Sequence, residues 1–507
     1  MASVSLQSAK ISRALMKMNL SGRKQLVSTQ SWSPRKWLEK PWSLFFAIIC
    51  TVLVLQLETS ENLSTTAHSL AAVTLMIAIL WISEALPVIL TSALPLALFP
   101  LFEIASFAEV WPVYLKDLIW LFFGGFQLAF AVEKCGLHKR IAMGVLRVMG
   151  AKPDRVVLGF MLAGGLLSMW LFNTSTTLML LPVALAVVRQ IDPQKSSQLA
   201  EACLLGLAYG ASLGGTGTYL GTAPNGVFRE QAAVYDASLT FGEWMLFATP
   251  LSIGMILMVW LYLTRFAFPL QNVKTADLSE VYGQITPWSQ AEKNVGLVFL
   301  VTVSMWMGKG YVIDQFPMMG SILTDGRIAV IATILLLIMP TKASGGSRLL
   351  THRELKKTPW EILVLFGGGF AIAYAFKTTG LSAWVGGELK ALVSGWHIFY
   401  LVLTVVLCIT FLTEITSNTA TANVMLPIIG SLAVASEIQP ALVMLPATLA
   451  ASCAFMMPVA TPPNAIVYGT KVIGLRTMAR VGFGINILTA LAITIWTLSW
   501  GPLVLPF

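Results

Sequence analysis

Charge is the scarcest commodity in this chain: Asp, Glu, Lys and Arg together make up 11% of its 507 residues, where a soluble domain carries roughly a quarter. So small a charged fraction excludes an ordinary water-facing globular surface. Cysteine is scarce as well. Cys50, Cys135, Cys203, Cys408 and Cys453 lie in or beside apolar runs without paired spacing, which excludes a disulfide framework and reads as small apolar packing. No two of His68, His138, His352 and His397 have metal-ligand spacing. No nucleophile–base constellation appears either, so the pattern is not that of an enzyme and implies no organic cofactor. Also missing are the short alternating strands of a membrane barrel.

What is present is apolar: 56% of the residues are hydrophobic. Runs of about 18 residues or more recur from end to end, each long enough to cross a hydrocarbon core as a helix. The fold class that follows is an all-α polytopic membrane protein. The net charge of +9 is not a nucleic-acid footprint, because much of it lies in residues 1–41. Lys10, Arg13, Lys17, Arg23, Lys24, Arg35, Lys36 and Lys40 precede the first apolar run, which the positive-inside rule reads as a cytoplasmic tail. A transit segment is the other reading of the same basic, acid-poor composition.

Several runs, notably 141–190, 200–227 and 440–468, are too long for one straight span and are expected to fold as hairpins or broken helices. The two halves also echo each other in order. DLIWLFFGGFQLAFAVEKCGL (117–137) resembles WEILVLFGGGFAIAYAFKTTGL (360–381), NTSTTLMLLP (173–182) resembles SNTATANVMLP (417–427), and GTAPN (221–225) resembles ATPPN (460–464). Phe126 to Phe370, Asn173 to Asn418 and Asn225 to Asn464 are each about 240 positions apart, the mark of an internal repeat. The expected organisation is a first transmembrane repeat at 42–270, a polar linker at 271–292 and a second repeat at 293–507. An odd number of crossings per repeat would make the two copies inverted.

Polar groups concentrate in SMWLFNTSTT (168–177), SLGGTGTYLGTAPN (212–225), TEITSNTATAN (413–423) and ATPPN (460–464). Gly and Pro interrupt helices and free backbone groups. Duplicated helix interruptions mark the binding site of a secondary transporter, with N–H groups at half-helix starts facing anions and freed carbonyls facing cations. No Lys or Arg lies within any of the four segments; Arg229 and Lys471 are the nearest neighbours beyond the Asn-containing ends. An anion held without basic side chains needs positive charge from elsewhere, which favours a bound cation. An isolated Ser or Thr is more often helix-packing glue; Asn within a duplicated Asn-Thr motif is the better ligand. Asn173-Thr174-Ser175 also spells a glycosylation sequon, which membrane depth rules out, whereas Asn62-Leu63-Ser64 falls in a predicted external loop. Glu84 in WISEALP and Glu414 in LTEITSN are intramembrane carboxylates, read either as structural or as gating groups rather than direct ligands.

With TSNTATANVMLP, SCAFMMPVATPPNAIVYG (452–469), SLGGTGTYLGTAPN and WISEALPVILTSALPLALFP (81–100) in view, the chain resembles the divalent anion/sodium symporter family, over essentially residues 40–507. That family includes the dicarboxylate and citrate transporters. The resemblance implies inverted repeats with re-entrant hairpins, about eleven membrane-spanning helices and a homodimer in lipid, with a scaffold subdomain and an elevator-type transport subdomain. It also implies that substrate carboxylates meet Asn173, Thr174, Thr222, Asn418, Thr419, Thr461 and Pro462. A first sodium ion would sit near Ser168, Phe172, Asn173 and Gly221, and a second near Thr413, Ser417, Asn418 and Ala460. One position departs: the family's Ser-Asn-Thr is Phe172-Asn173-Thr174 in the first half, which removes a hydroxyl from the first sodium site and puts a ring beside the substrate pocket. The implied activity is sodium-coupled transport of C4-dicarboxylates such as succinate, malate or fumarate, in a plasma membrane or, alternatively, an organellar one. A sodium-independent dicarboxylate or 2-oxoglutarate exchanger and a citrate or other divalent-anion carrier remain open beside it.

Overall fold

A computed structural model describes residues 41–58, 63–191, 198–270, 287–341 and 348–505. Nearly all of the basic tail, residues 271–286 of the linker and Asn62 lie outside the described residues.

Apolar composition in a medium without water forces backbone groups to bond within each segment, which helices do unaided. The described chain is accordingly helical. Its main helices, numbered in order, are α1 (Pro41–Gln56), α2 (Thr65–Ser83), α3 (Val88–Leu101), α4 (Asp117–Cys135), α5 (Leu137–Met149), α6 (Pro153–Ser168) and α7 (Asn173–Ile191). Next come α8 (Gln198–Gly215), α9 (Ala223–Ala233), α10 (Phe241–Leu261), α11 (Gln290–Gln315), α12 (Asp325–Ile338) and α13 (Trp360–Thr379). The chain ends with α14 (Leu381–Val393), α15 (Ile398–Thr413), α16 (Asn418–Ala435), α17 (Ala441–Ala450), α18 (Pro462–Tyr468) and α19 (Leu475–Ser499). Eight described helices are long and apolar enough to cross a membrane, or nine if the pair α14–α15, bent by 114°, counts as one span. The apolar helices α1, α3 and α17 are shorter.

The long runs do break where the sequence suggested. The run 141–190 turns between α6 and α7 at residues 169–172, 200–227 is interrupted between α8 and α9, and 440–468 between α17 and α18. Helix ends follow ordinary capping chemistry. Thr240 with Glu243 opens α10 and Ser289 with Glu292 opens α11, both as capping boxes, the side chains exchanging hydrogen bonds with orphan backbone N–H groups. The echoing helices α4 and α13 both stop at a left-handed glycine, Gly136 (φ 85°) and Gly380 (φ 80°), and each is followed at once by a helix of 13 residues. Glu84 sits in the turn closing α2, at φ 49° and exposed, so of the two intramembrane carboxylates this one is a helix-end group.

Lipid offers no hydrophobic drive between helices, so close approach relies on small residues. A Cβ on Gly210 of α8 would lie 2.6 Å from the Met161 carbonyl oxygen of α6, and one on Gly124 of α4 would lie 2.5 Å from the Ala329 carbonyl oxygen of α12. Helix α8 is buried along nearly its whole length, which places the first interrupted segment at the centre of the molecule. Across the two halves the packing is exchanged: α7 packs on α18 and α16 packs on α9. Each hairpin therefore leans on the other half's broken helix.

Candidate functional site

The two hairpin tips are built alike. In the second half, Thr413 ends α15 and Asn418 begins α16; Thr413 Oγ1 lies 2.7 Å from Asn418 Oδ1 and 3.1 Å from the Ala451 carbonyl oxygen. In the first half, Ser168 ends α6 and Asn173 begins α7, and the Ser168 hydroxyl is hydrogen-bonded to the Asn173 carboxamide. With its nitrogen turned inward, the Asn173 carboxamide also donates to the carbonyls of Gly221 and Ala211, each at 3.3 Å. Ala211 lies on α8 and Ala451 caps the end of α17, each on the first half of its broken helix. A hydroxyl, an Asn and a carbonyl of the interrupted helix thus meet twice.

At the first site the fit is tight enough to require glycine. A Cβ on Gly221 would lie 2.7 Å from the Ser168 carbonyl oxygen and press on Gly215, and one on Gly215 would lie 2.5 Å from the inward-facing atom of the Asn173 carboxamide. Ser168, Asn173, Gly215 and Gly221 therefore converge, which brings together three of the four residues expected at the first cation site. Such a set of hydroxyl, carboxamide and carbonyl oxygens is the donor chemistry of a hard cation. Phe172, the fourth, turns its ring onto Phe126 of α4, centroids 4.7 Å apart. Its carbonyl accepts from Thr176 N at 2.9 Å, as the Ser417 carbonyl accepts from Thr421 N at 2.8 Å. The ring thus packs against α4, which explains how an aromatic residue is accommodated at a hairpin tip.

At the second tip Ser417 is exposed and makes no capping bond with its hydroxyl, and Ala460 lies buried just before α18. Thr174 and Thr419 are half-buried in the first turns of α7 and α16. Thr222 and Thr461 precede α9 and α18 at the N-cap, with Thr461 Oγ1 accepting from Asn464 N at 3.3 Å. Pro462 is the exposed first residue of α18. Thr222 Oγ1 and Ser452 Oγ, 3.3 Å apart, join the two halves across the centre. The starts of α7, α9 and α16 present backbone N–H groups, the polarity that holds a carboxylate. Arg229, the nearest cation to the first interrupted segment, is paired with Asp325 at 2.6 Å.

Sequence reasoning used Asn225 and Asn464 only to align the halves; the structure gives both a task. Asn225 Nδ2 donates to the carbonyls of Gly215 (3.1 Å), Thr216 (3.4 Å) and Thr218 (2.7 Å). Asn464 Nδ2 donates to Ala454 (3.0 Å) and Met457 (3.1 Å). Both reach back ten and seven residues, onto carbonyls that the helix break leaves without intrahelical donors. The signal in the sequence was the Pro-Asn pair just past each Gly- or Pro-rich break. We expect Asn464→Ala to cost about 2–4 kcal/mol of stability through two poorly satisfied carbonyls, read as a lower thermal-unfolding midpoint of detergent-purified protein. An unchanged midpoint would remove the clamp role.

Glu414 is the other group whose role emerges here. It is buried, and Oε1 accepts from Phe455 N (2.7 Å), Met456 N (2.9 Å) and Asn486 Nδ2 (2.8 Å), while Oε2 accepts from Met457 N (3.0 Å). The carboxylate caps the interrupted segment between α17 and α18, so of its two readings the structural one holds. Met169 takes the equivalent place in the first half. There the interrupted segment is held instead by α10, with Trp244 Nε1 donating to the Thr216 carbonyl at 3.1 Å and Thr249 Oγ1 to the Gly217 carbonyl at 2.9 Å.

Two hairpins and two broken helices, arranged in exchanged pairs around a central polar seam, define a multi-pass integral membrane transporter. The chain belongs to the family described as "Sodium:sulfate symporter transmembrane region", whose model matches residues 38–506. It is 37% identical over 459 residues to the sodium-dependent dicarboxylate transporter SdcS of Staphylococcus saprophyticus, covering 88% of each chain. The SdcS of Staphylococcus aureus is 36% identical over 449 residues, covering 86% of each. Among solved structures, the YdaH transporter of Alcanivorax borkumensis aligns with a TM-score of 0.58 at 15% identity, covering 93% of this chain and 100% of that one. MtrF of Neisseria gonorrhoeae aligns at 0.55 with 13% identity, covering 93% and 96%. These two likenesses bear on the fold alone.

Proposed function

We infer that the protein is a secondary active transporter that carries C4-dicarboxylates, succinate, malate and fumarate, together with sodium ions. The observation that carries this reading is the duplicated Asn–hydroxyl–carbonyl cluster at the hairpin tips, set beside helix starts and free of basic side chains. Sodium ions at the two clusters would supply the positive charge that the dicarboxylate needs. A cation at the first cluster would draw the Asn173 carboxamide round so that Oδ1 joins the carbonyls of Gly221 and Ser168. The second would rest on Thr413, Ser417, Asn418 and Ala460. Substrate carboxylates would lie between the tips, against Asn173, Thr174, Thr222, Asn418, Thr419, Thr461 and Pro462. The two Staphylococcus relatives are sodium-dependent dicarboxylate transporters, which supports a dicarboxylate as substrate and sodium as ion.

Alternating access would come from displacement of the unit that bears the hairpins and broken helices against a scaffold formed by the remaining helices, in a homodimer. The sequence halves 42–270 and 293–507 would be the two repeats, joined by the linker 271–292. One observation favours a second reading: Phe172 gives the first cluster a ring where the family has a hydroxyl, as a sodium-independent exchanger would tolerate. Labelled succinate uptake into proteoliposomes decides between them. An inward sodium gradient should stimulate uptake into empty vesicles. Uptake that ignores sodium and needs internal succinate would replace symport by exchange.

A further inference from the structure

The second half of the first broken helix carries a charged turn that the site does not use. On α9, Arg229 Nη2 lies 2.6 Å from Asp325 Oδ2, and Asp325 Oδ1 lies 2.8 Å from Lys309 Nζ. Asp325 is completely buried at the start of α12, Lys309 belongs to α11, and the Arg229 guanidinium also lies 5.4 Å from the centre of the Tyr219 ring. The next residue, Glu230, pairs with Lys116 just before α4 at 2.8 Å. Gln231 Nε2 then donates to the Gly369 carbonyl of α13 at 3.2 Å, and Lys377 Nζ of α13 donates to the Val234 carbonyl at 2.8 Å. Helix α9 begins at the site, with Thr222 and Asn225. None of the residues assigned to substrate or cations lies on α4, α11, α12 or α13.

The geometry points to a latch: the Arg229–Asp325 contact ties the site-bearing α9 to α11 and α12 in this state and breaks each time the site moves. The inference rests on the moving-unit reading above. Its physical basis is an asymmetry within the triad. Lys309 and Asp325 are both outside the site-bearing helices and stay paired when Arg229 leaves, so no bare carboxylate is stranded in a low-dielectric interior, the outcome that makes breaking buried pairs so costly. A carboxylate flanked by two cations can release one and keep the other. The seam also holds polar atoms with no hydrogen-bond partner among the described residues: Arg229 Nη1, Gln231 Oε1 and both amide atoms of Asn423. The Asn423 carboxamide on α16 fills the notch at Gly369. Buried polar groups left half-satisfied are costly, and a contact that exchanges partners between two states gives them a reason to persist.

The test uses Lys116→Cys with Glu230→Cys in a full-length background lacking the five native cysteines, cross-linked by a short, reducible bis-thiosulfonate. That pair is partly open to solvent at Lys116, so replacing it costs little by itself. Cross-linking should stop succinate uptake and reduction should restore it; uptake at the uncrosslinked rate would overturn the moving-unit reading itself. Added to this pair, Arg229→Gln should depopulate the latched state and slow cross-linking about tenfold or more. Lys309→Gln, the same change of charge in the same cluster, keeps the tie across the seam and should cross-link at or above the parent rate. If cross-linking stops uptake but Arg229→Gln cross-links like the parent, the latch is overturned while the moving unit stands. If Arg229→Gln does not fold, Arg229→Lys, with its shorter point-charge contact, should slow cross-linking severalfold; the parent rate there overturns the latch equally.

Discussion

Asn418→Ala should abolish dicarboxylate uptake while leaving the protein folded. The carboxamide oxygen accepts from Thr413 Oγ1 at 2.7 Å, and the same hydroxyl also reaches the Ala451 carbonyl at 3.1 Å. Truncation therefore leaves Thr413 with a partner and costs about 1 kcal/mol of local stability. Transport loses more, because in this account one carboxamide serves both a cation and a substrate carboxylate. Losing two charge-assisted contacts at about 1.5–3 kcal/mol each corresponds to at least about a hundredfold drop in initial rate. The check pairs proteoliposome uptake with size-exclusion chromatography and thermal unfolding of the purified variant. Near-normal transport would mean that the site lies elsewhere.

The largest effect on stability is expected for Glu414→Gln. Four donors converge on this buried carboxylate: the amides of Phe455, Met456 and Met457 and the side chain of Asn486. Charge-assisted bonds of this kind are about twice as strong as neutral ones. Gln presents an NH₂ group where one oxygen stood, so at least one backbone donor faces another donor and loses its acceptor. A buried unsatisfied donor costs about 1–3 kcal/mol, and the charge assistance of the remaining bonds is lost with it. The unfolding midpoint should fall by several degrees and uptake should fall with it, since α18 carries Thr461 and Pro462. Met169→Gln makes the matched control in the first half, where α10 holds the break and no carboxylate is lost. A Glu414→Gln protein with the parent midpoint would show that the interrupted segment does not depend on this cap.

Much of this was visible in the residues because bilayer physics is strict. Helices had to form, the long runs had to break at their Gly, Pro and Asn clusters, and the breaks appeared at matching positions because the motifs were duplicated. The convergence of Ser168, Asn173 and Gly221, and of Thr413 with Asn418, follows from the same repeat. What stayed hidden depends on pairings far apart in sequence. Nothing local connects Glu414 with the amides of Phe455 to Met457, or Arg229 with Asp325. The tasks of Asn225 and Asn464 were closer to hand, since each reaches back only to its own break, but side-chain direction within a broken helix follows from packing rather than spacing. Phe172 was marked as a departure, yet only packing shows that its ring rests on Phe126, at one end of a row that continues through Phe122 to Phe366.

On the proposed function, sodium and a dicarboxylate move together through the duplicated cluster. The most direct measurement is labelled sodium flux driven by the dicarboxylate alone. Proteoliposomes with equal sodium on both sides and an inward succinate gradient should take up labelled sodium above its equilibrium level, and the Asn418→Ala protein should not. Sodium that stays at equilibrium while succinate enters would contradict the account.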